Sequence, residues 1–126
     1  MTHQTPNRRQ EGNEFEEIAL TFLRSRGLTL LRRNFRFGRA GEIDLIMLDG
    51  DVYVFVEVKG RRTHNHGLPE DAVTIAKRRQ IRRVAEGFVH VMKITDYEAR
   101  FDVVAIDFTG LPAGDDPVIR HYADAF

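Results

Sequence analysis

The chain has 126 residues, 42% of them hydrophobic and 30% charged, and this composition suits one globular domain with a single core. It contains no cysteine, which excludes disulfides, thiolate metal sites and a cysteine nucleophile and suits a reducing compartment. The N-terminus has no apolar signal-like segment, and no run approaches the roughly 18 apolar residues of a membrane span. We therefore expect a soluble, cytoplasmic protein with no membrane partner.

The charges are separated along the chain, although 19 basic residues balance 19 acidic ones. Residues 24–39 contain six arginines and no acid, and residues 59–83 contain eight basic residues against two acids. Between these blocks, residues 40–58 carry five acids and no base. An acidic cluster between basic flanks indicates a surface that contacts the phosphates of a nucleic acid. The simpler alternative is that the basic residues near the end of the second block form an ordinary solvated helix face.

The first predicted element is a helix. Residues 1–12 are polar and lack periodicity, so we expect a flexible tail and a single domain over residues 13–126. Asn13 is the candidate N-cap, and Gly27 ends the helix. The apolar residues that recur at helical spacing between them are Phe15, Ile18, Ala19, Phe22 and Leu23. Among the glutamates of this helix, Glu14 is placed best to point toward the buried side. The alternative is that Glu14 only compensates the helix dipole.

Strands follow this helix. Residues 28–37 alternate in a strand-like way, and the segments "EIDLIMLD" and "VYVFVEVK" are two strands joined by the hairpin signal Asp49-Gly50-Asp51. The next segment is a loop, in which His64 and His66 have metal-like spacing but no second ligand pair, so we interpret them as loop residues.

A second helix and two further strands complete the chain. Residues 70–88 form a helix that opens with acids and is rich in cations later. The segment "RFDVVAIDF" is a buried strand, and "VIRHYADAF" is a short terminal strand or extended tail. The order α-β-β-β-α-β predicts an α/β fold, with a mixed central sheet and helices on its faces.

The predicted hairpin carries four charged residues, Glu42, Asp44, Glu57 and Lys59, at positions where a core hairpin normally has apolar side chains. Side chains of a strand alternate between faces, and a two-residue loop pairs even-numbered residues of one strand with odd-numbered residues of the other. All four charged residues are then expected on one face. If the loop is Gly50-Asp51, Asp44 faces Glu57, and Glu42 faces Lys59.

Two neighbouring carboxylates repel each other unless a cation lies between them. Oxygen ligands select Mg²⁺, with Mn²⁺ as a substitute, and Mg²⁺ keeps waters that can reach a phosphate. Lys59 points at the same place, which suits metal-assisted hydrolysis of a phosphodiester. The alternative is a cross-strand salt bridge at a solvated sheet face, and Glu42 is either a further metal ligand or the partner of Lys59. A lysine-centred carbonyl enzyme is disfavoured, because adjacent acids keep a lysine protonated.

The segments "GEIDLI", "FVEVK", "AVTIAKRRQI" and "RFDVVAI" resemble the YraN-like bacterial proteins. That group is related to archaeal Holliday junction resolvases within the PD-(D/E)xK nuclease superfamily. The resemblance implies a restriction-endonuclease-like αβββαβ core and a Mg²⁺-dependent endonuclease or resolvase-like hydrolase that acts on DNA, branched or single-stranded. The alternative is a non-catalytic nucleic-acid-binding or adaptor protein with the same fold.

The resemblance also implies a set of site residues. Asp44 and Glu57 look like the metal-binding carboxylates, and the backbone carbonyl of Val58 would be a further ligand. Lys59 looks like the catalytic lysine, and Glu14 like the helical acid that completes the site.

Nucleic-acid contacts are expected from seven residues of the basic segments, namely Arg36, Arg39, Arg61, Arg62, Lys77, Arg78 and Gln80. Lys77 and Gln80 fall near the apolar side of the second helix, where a polar side chain needs a specific partner. A two-fold junction substrate would favour a homodimer, by analogy.

Overall fold

The structure is a computed structural model that describes residues 8–63 and 67–126. Its helices are α1 (Arg8–Ser25) and α2 (Ile75–Val91), and its strands are β1 (Thr29–Phe37), β2 (Gly41–Asp49), β3 (Val52–Arg61), β4 (Glu98–Asp107) and β5 (Val118–Tyr122). The predicted order α-β-β-β-α-β is confirmed, and β5 follows it. His64 and His66, which are predicted to be loop residues, and residues 1–7 of the predicted tail lie outside the described residues.

The five strands form one mixed sheet in the order β1-β2-β3-β4-β5. Neighbours are antiparallel except β3 and β4, which are parallel because α2 carries the chain back across the sheet. Helix α1 packs on one face, and α2 packs on the other. Strand β3 is therefore covered on both faces, which explains its nearly continuous apolar sequence. In the described part of the chain, neither helix is long and apolar enough to cross a membrane.

Helix α1 begins at Arg8, so the predicted start was wrong. Asn13 lies inside the helix and is not its N-cap, and residues 8–12 belong to the helix rather than to a tail. The predicted end is confirmed, because Gly27 has a φ of +93° and the Leu28 N–H donates to the Leu23 carbonyl at 3.1 Å.

The acids before α2 do not open that helix, contrary to the prediction. They belong to a separate 3₁₀ turn, Pro69–Ala72, and the N-cap of α2 is Thr74. Glu70 instead receives two hydrogen bonds from Arg120 of β5, at 2.6 and 2.9 Å. These bonds, chiefly, lower the pKa of Glu70 to about 2. The acid therefore ties the 3₁₀ turn to the edge of the sheet.

Gly60 of β3 lies directly against the ring of Phe15 in α1. A methyl group on its Cα would lie 2.2 Å from Cγ of Phe15, which is buried in the core. We expect Gly60→Ala to lower the free energy of unfolding by about 2–3 kcal/mol in chemical denaturation, because the ring and the helix must move apart. Gly87→Ala is the control. Its methyl group would meet Phe37, whose 36% exposed ring can turn away, so equal losses in both variants would contradict this account.

Candidate active site

The candidate site lies where β2 and β3 separate. The two strands pair as far as Leu45 and Val56, and their two-residue loop is Gly50-Asp51. Beyond this point the Oδ2 atom of Asp44 accepts a hydrogen bond from the Val58 N–H at 2.8 Å, in place of a backbone partner. The N–H and C=O groups of a strand residue point to the same side, so the Val58 carbonyl faces the same gap.

The alternation of side chains along β2 is interrupted at Asp44. Ile43 and Ile46 both pack against α2, although regular alternation would put them on opposite faces. Glu42 consequently lines a cleft beside α1, whereas Glu57 faces α2. The prediction that all four charged residues share one face is therefore wrong for Glu42, because the two strands stop pairing before they reach it.

Glu42 nevertheless belongs to the electrostatic surroundings of Asp44, since its charge is one of the factors that raise the pKa of Asp44. The ion pair that Glu42 forms is with Arg36, whose Nη2 lies 3.8 Å from Oε2 of Glu42. The cleft beside α1 has a volume of about 730 Å³ and is lined by Arg9, Gly12, Asn13, Glu16, Asn34, Arg36 and Glu42. Asp44 thus lies between a cleft on the α1 face and Glu57 on the α2 face.

Glu57 is the most buried acid of the site, at 3% exposure. Its Oε1 lies 3.4 Å from Nζ of Lys59 and 3.8 Å from Nζ of Lys77, but its Oε2 accepts no hydrogen bond from any described residue. Burial and the charge of Asp44 raise the pKa of Glu57 to about 7, against the opposing effect of the lysines. Burial also raises the pKa of Asp44, although the Val58 N–H and the same lysines lower it.

Helix α1 presents Glu16 to the site, and not Glu14. Glu16 is 9% exposed, and its Oε1 accepts no hydrogen bond within the described part of the chain, with Nε of Arg33 at 3.6 Å. Burial and the charge of Asp44 raise the pKa of Glu16 to about 7. Glu14 is exposed and pairs with Arg62 at 2.5 Å. The structure therefore puts Glu16 at the position predicted for Glu14.

The predicted apolar stripe of α1 did not include Leu20. This residue is buried at 3% exposure, whereas Ile18 and Phe22 are only partly buried. When Leu20 is counted with the core and the partly buried Ile18 and Phe22 are left out, the centre of the apolar stripe shifts. Glu16 then lies about 35° from that centre, and Glu14 lies nearly opposite.

The residues predicted to contact nucleic acid do not form one free surface. Arg62 pairs with Glu14, and its guanidinium lies 4.3 Å from the centre of the Phe108 ring. Arg78 donates a hydrogen bond to the Val73 carbonyl at 3.2 Å. Both arginines therefore have structural partners.

The other five predicted residues lie closer to the site or in solvent. Arg36, near the end of β1, and Arg39, in the turn between β1 and β2, are both exposed. Arg61 follows Lys59 on the α2 face of β3, and its buried Nε donates to no atom of residues 8–63 and 67–126. Lys77 contacts Glu57. Gln80 fills the space over Gly41, where a methyl group would lie 2.4 Å from its Nε2, and this contact explains a polar residue near the apolar side of α2.

Comparison with known proteins places the chain in a family. Residues 15–106 match the profile of the uncharacterised protein family UPF0102. The chain belongs to the UPF0102 family. A UPF0102 protein of Caldicellulosiruptor saccharolyticus is 46% identical over 100 residues, which cover 79% of this chain and 84% of the relative. One from Geotalea daltonii is 45% identical over 115 residues, covering 91% and 87%.

The resemblance to the YraN-like proteins is thereby confirmed at the level of the family. A third UPF0102 protein, from Chlorobium chlorochromatii, is 40% identical over 117 residues and covers 91% of this chain and 89% of the relative. The names of these UPF0102 relatives give no activity. The matched range contains Glu16, Asp44, Glu57 and both lysines that contact Glu57.

Proposed function

We propose that this UPF0102 protein is a Mg²⁺-dependent nuclease that hydrolyses a phosphodiester bond of DNA, with Mn²⁺ as a substitute cation. One observation carries the proposal. Glu57 has a buried carboxylate oxygen, Oε2, with no hydrogen-bond partner among the residues that the structure describes, and Asp44 lies close enough to raise its pKa. A buried carboxylate oxygen that accepts no hydrogen bond costs folding free energy, so a role in binding a cation accounts for Oε2.

The donor set fits Mg²⁺, which is typically bound by one or two carboxylates and keeps several waters. Within the described ranges, no three acidic or histidine side chains are already arranged to hold a metal ion. The residues that would hold the cation are Asp44, Glu57 and the carbonyl of Val58, all of which are oxygen ligands. Glu16 and Glu42 would contribute charge from the α1 side of Asp44.

The proposed reaction converts a phosphodiester and water into a phosphomonoester and an alcohol. The water oxygen bonds to phosphorus, the bond from phosphorus to the leaving oxygen breaks, the water loses one proton, and the leaving oxygen gains one. A divalent cation, when bound, polarises the phosphoryl oxygen and lowers the pKa of a water. Lys59 neutralises negative charge that develops on the phosphate. Glu16, with a pKa of about 7, is suited to accept a proton near neutral pH.

A nucleic acid is the proposed substrate because exposed cations flank the site, and DNA is the form that the resemblance to resolvases implies. Arg36, with 72% of its side chain exposed, lies near the end of β1 opposite Glu42, and Arg39 is exposed on the turn that follows. Exposed cations also follow α2 beyond Lys77, at Arg79 and Arg83. These groups suit contacts with the phosphates of a branched or single-stranded DNA. A junction with two-fold symmetry would bind best to a homodimer. Gel filtration with light scattering measures the oligomeric state.

A cleavage assay tests the proposal. Duplex, single-stranded and four-way-junction DNA are incubated with the wild type and with Asp44→Asn, in Mg²⁺, in Mn²⁺ and in a chelator, after circular dichroism has shown that the variant folds. We expect cleavage only by the wild type with a cation, and DNA binding by both proteins that weakens with salt. Equal cleavage by both proteins indicates a contaminant and contradicts the proposal. Binding without cleavage supports the alternative of a non-catalytic nucleic-acid-binding module.

A further inference from the structure

Two lysines from different elements reach the same oxygen of Glu57. Nζ of Lys59, on β3, lies 3.4 Å from Oε1, and Nζ of Lys77, in the first turn of α2, lies 3.8 Å from it. The position of Lys77 is set by its backbone, because its N–H donates to the hydroxyl of the N-cap Thr74 at 3.2 Å. With 30% of its side chain exposed, the ammonium group lies at the border between the buried acid and solvent.

The charges of this cluster balance in the free protein, before a cation binds. The two carboxylates of Asp44 and Glu57 are matched by the two ammonium groups, which lower the pKa of both acids. A divalent cation bound by the same carboxylates adds two positive charges, so the ammonium groups lose their attraction to Glu57. A phosphodiester brings one negative charge, and the transition state of its hydrolysis carries two. The cluster is neutral again only in the transition state, and only if both lysines are present.

We propose that Lys77 is a second phosphate-contacting lysine. Its ammonium group pairs with the Glu57 carboxylate when no cation is bound, and it contacts the scissile phosphate when a cation binds that carboxylate. The contact with the scissile phosphate rests on the proposed nuclease function, whereas the competition between Lys77 and a cation for Glu57 does not depend on cleavage. Lys77 differs from the exposed arginines of α2, since those are expected to hold DNA equally in the ground state and in the transition state.

The first experiment measures Mn²⁺ binding to the DNA-free protein by calorimetry. Lys77→Met should tighten Mn²⁺ binding about ten-fold, because it removes the group that competes for Glu57. Arg79→Met is the matched control, since it removes the same charge from an exposed position on the same helix, and it should change the affinity less than about two-fold. Lys77→Gln is measured beside it to guard against misfolding of the methionine variant. Equal changes in the Lys77 and Arg79 variants overturn the proposal.

The second experiment measures cleavage kinetics in the wild type and the same variants. Lys77→Met should lower kcat about 100-fold with little change in KM, whereas Arg79→Met should mainly raise KM. A Lys77 variant that binds Mn²⁺ more tightly yet keeps kcat overturns the phosphate contact. If even the wild type cleaves nothing, the proposed nuclease function fails, and the Mn²⁺ measurement still decides whether Lys77 competes with a cation for Glu57.

Discussion

Glu57→Gln should slow DNA cleavage strongly while making the metal-free protein more stable. The amide oxygen is a poorer cation ligand than a carboxylate, so we expect weaker Mn²⁺ binding and a fall in kcat/KM of about 10²- to 10³-fold. At pH 8 the wild type carries a buried, charged Glu57 whose pKa is raised to about 7 by burial and by Asp44. Glutamine removes that charge, and the free energy of unfolding at pH 8 should rise by about 2 kcal/mol.

Glu70→Gln is the matched control for this variant. Glu70 is also an acid that pairs with a basic side chain. Its hydrogen bonds with Arg120 lower its pKa to about 2, so its charged form stabilises the fold. We expect Glu70→Gln to lower the free energy of unfolding by about 1–2 kcal/mol and to leave kcat/KM unchanged. If Glu57→Gln also destabilises the protein at pH 8, Glu57 is a structural partner of the lysines, as in the salt-bridge alternative, and not a ligand kept free for a cation.

The residues of the β hairpin could be predicted from sequence because their signals are local. Asp49-Gly50-Asp51 specifies a tight turn, and the strands on either side of it are apolar enough to form the centre of a sheet. The register of the hairpin follows from that turn and is confirmed as far as Leu45 and Val56. The assembly of Asp44, Glu57 and Lys59 at one place also follows, since it needs only the turn and the spacing.

The remaining features of the site depend on contacts between distant segments. Contacts with β3 decide which face of α1 meets the sheet. Leu20 is buried while Ile18 and Phe22 are only partly buried, and this difference brings Glu16 to the site in place of Glu14. The interruption at Asp44 coincides with Asn34 on the neighbouring strand, whose φ is +54°. The residue pattern of β2 contains no sign of Asn34 on β1. The sequence therefore predicts one charged face, and the turning of Glu42 to the other face could not be foreseen.

The stability of the metal-free protein should fall as pH rises from 5.5 to 8. Burial and the charge of Asp44 raise the pKa of both Glu16 and Glu57 from 4.5 to about 7. Between these values the folded protein binds more protons than the unfolded chain, so the free energy of unfolding decreases with pH. The stabilisation is complete below pH 4.5 and is lost as pH passes 7. Over the interval from 5.5 to 8, the expected loss is about 2 kcal/mol for each acid.

Chemical denaturation at several pH values measures this loss, and two comparisons assign it to the site. The double variant Glu16→Gln, Glu57→Gln should have a nearly flat profile, because its neutral side chains no longer titrate. Adding Mg²⁺ at pH 8 should restore stability to the wild type and not to the double variant, since a cation that binds only the folded state stabilises it. The acid Glu70 does not interfere, because its lowered pKa acts below pH 4.5. A wild-type profile that is flat or rises with pH would show that burial does not disfavour the charged forms of the two acids, and this result would contradict a cation site at Glu57.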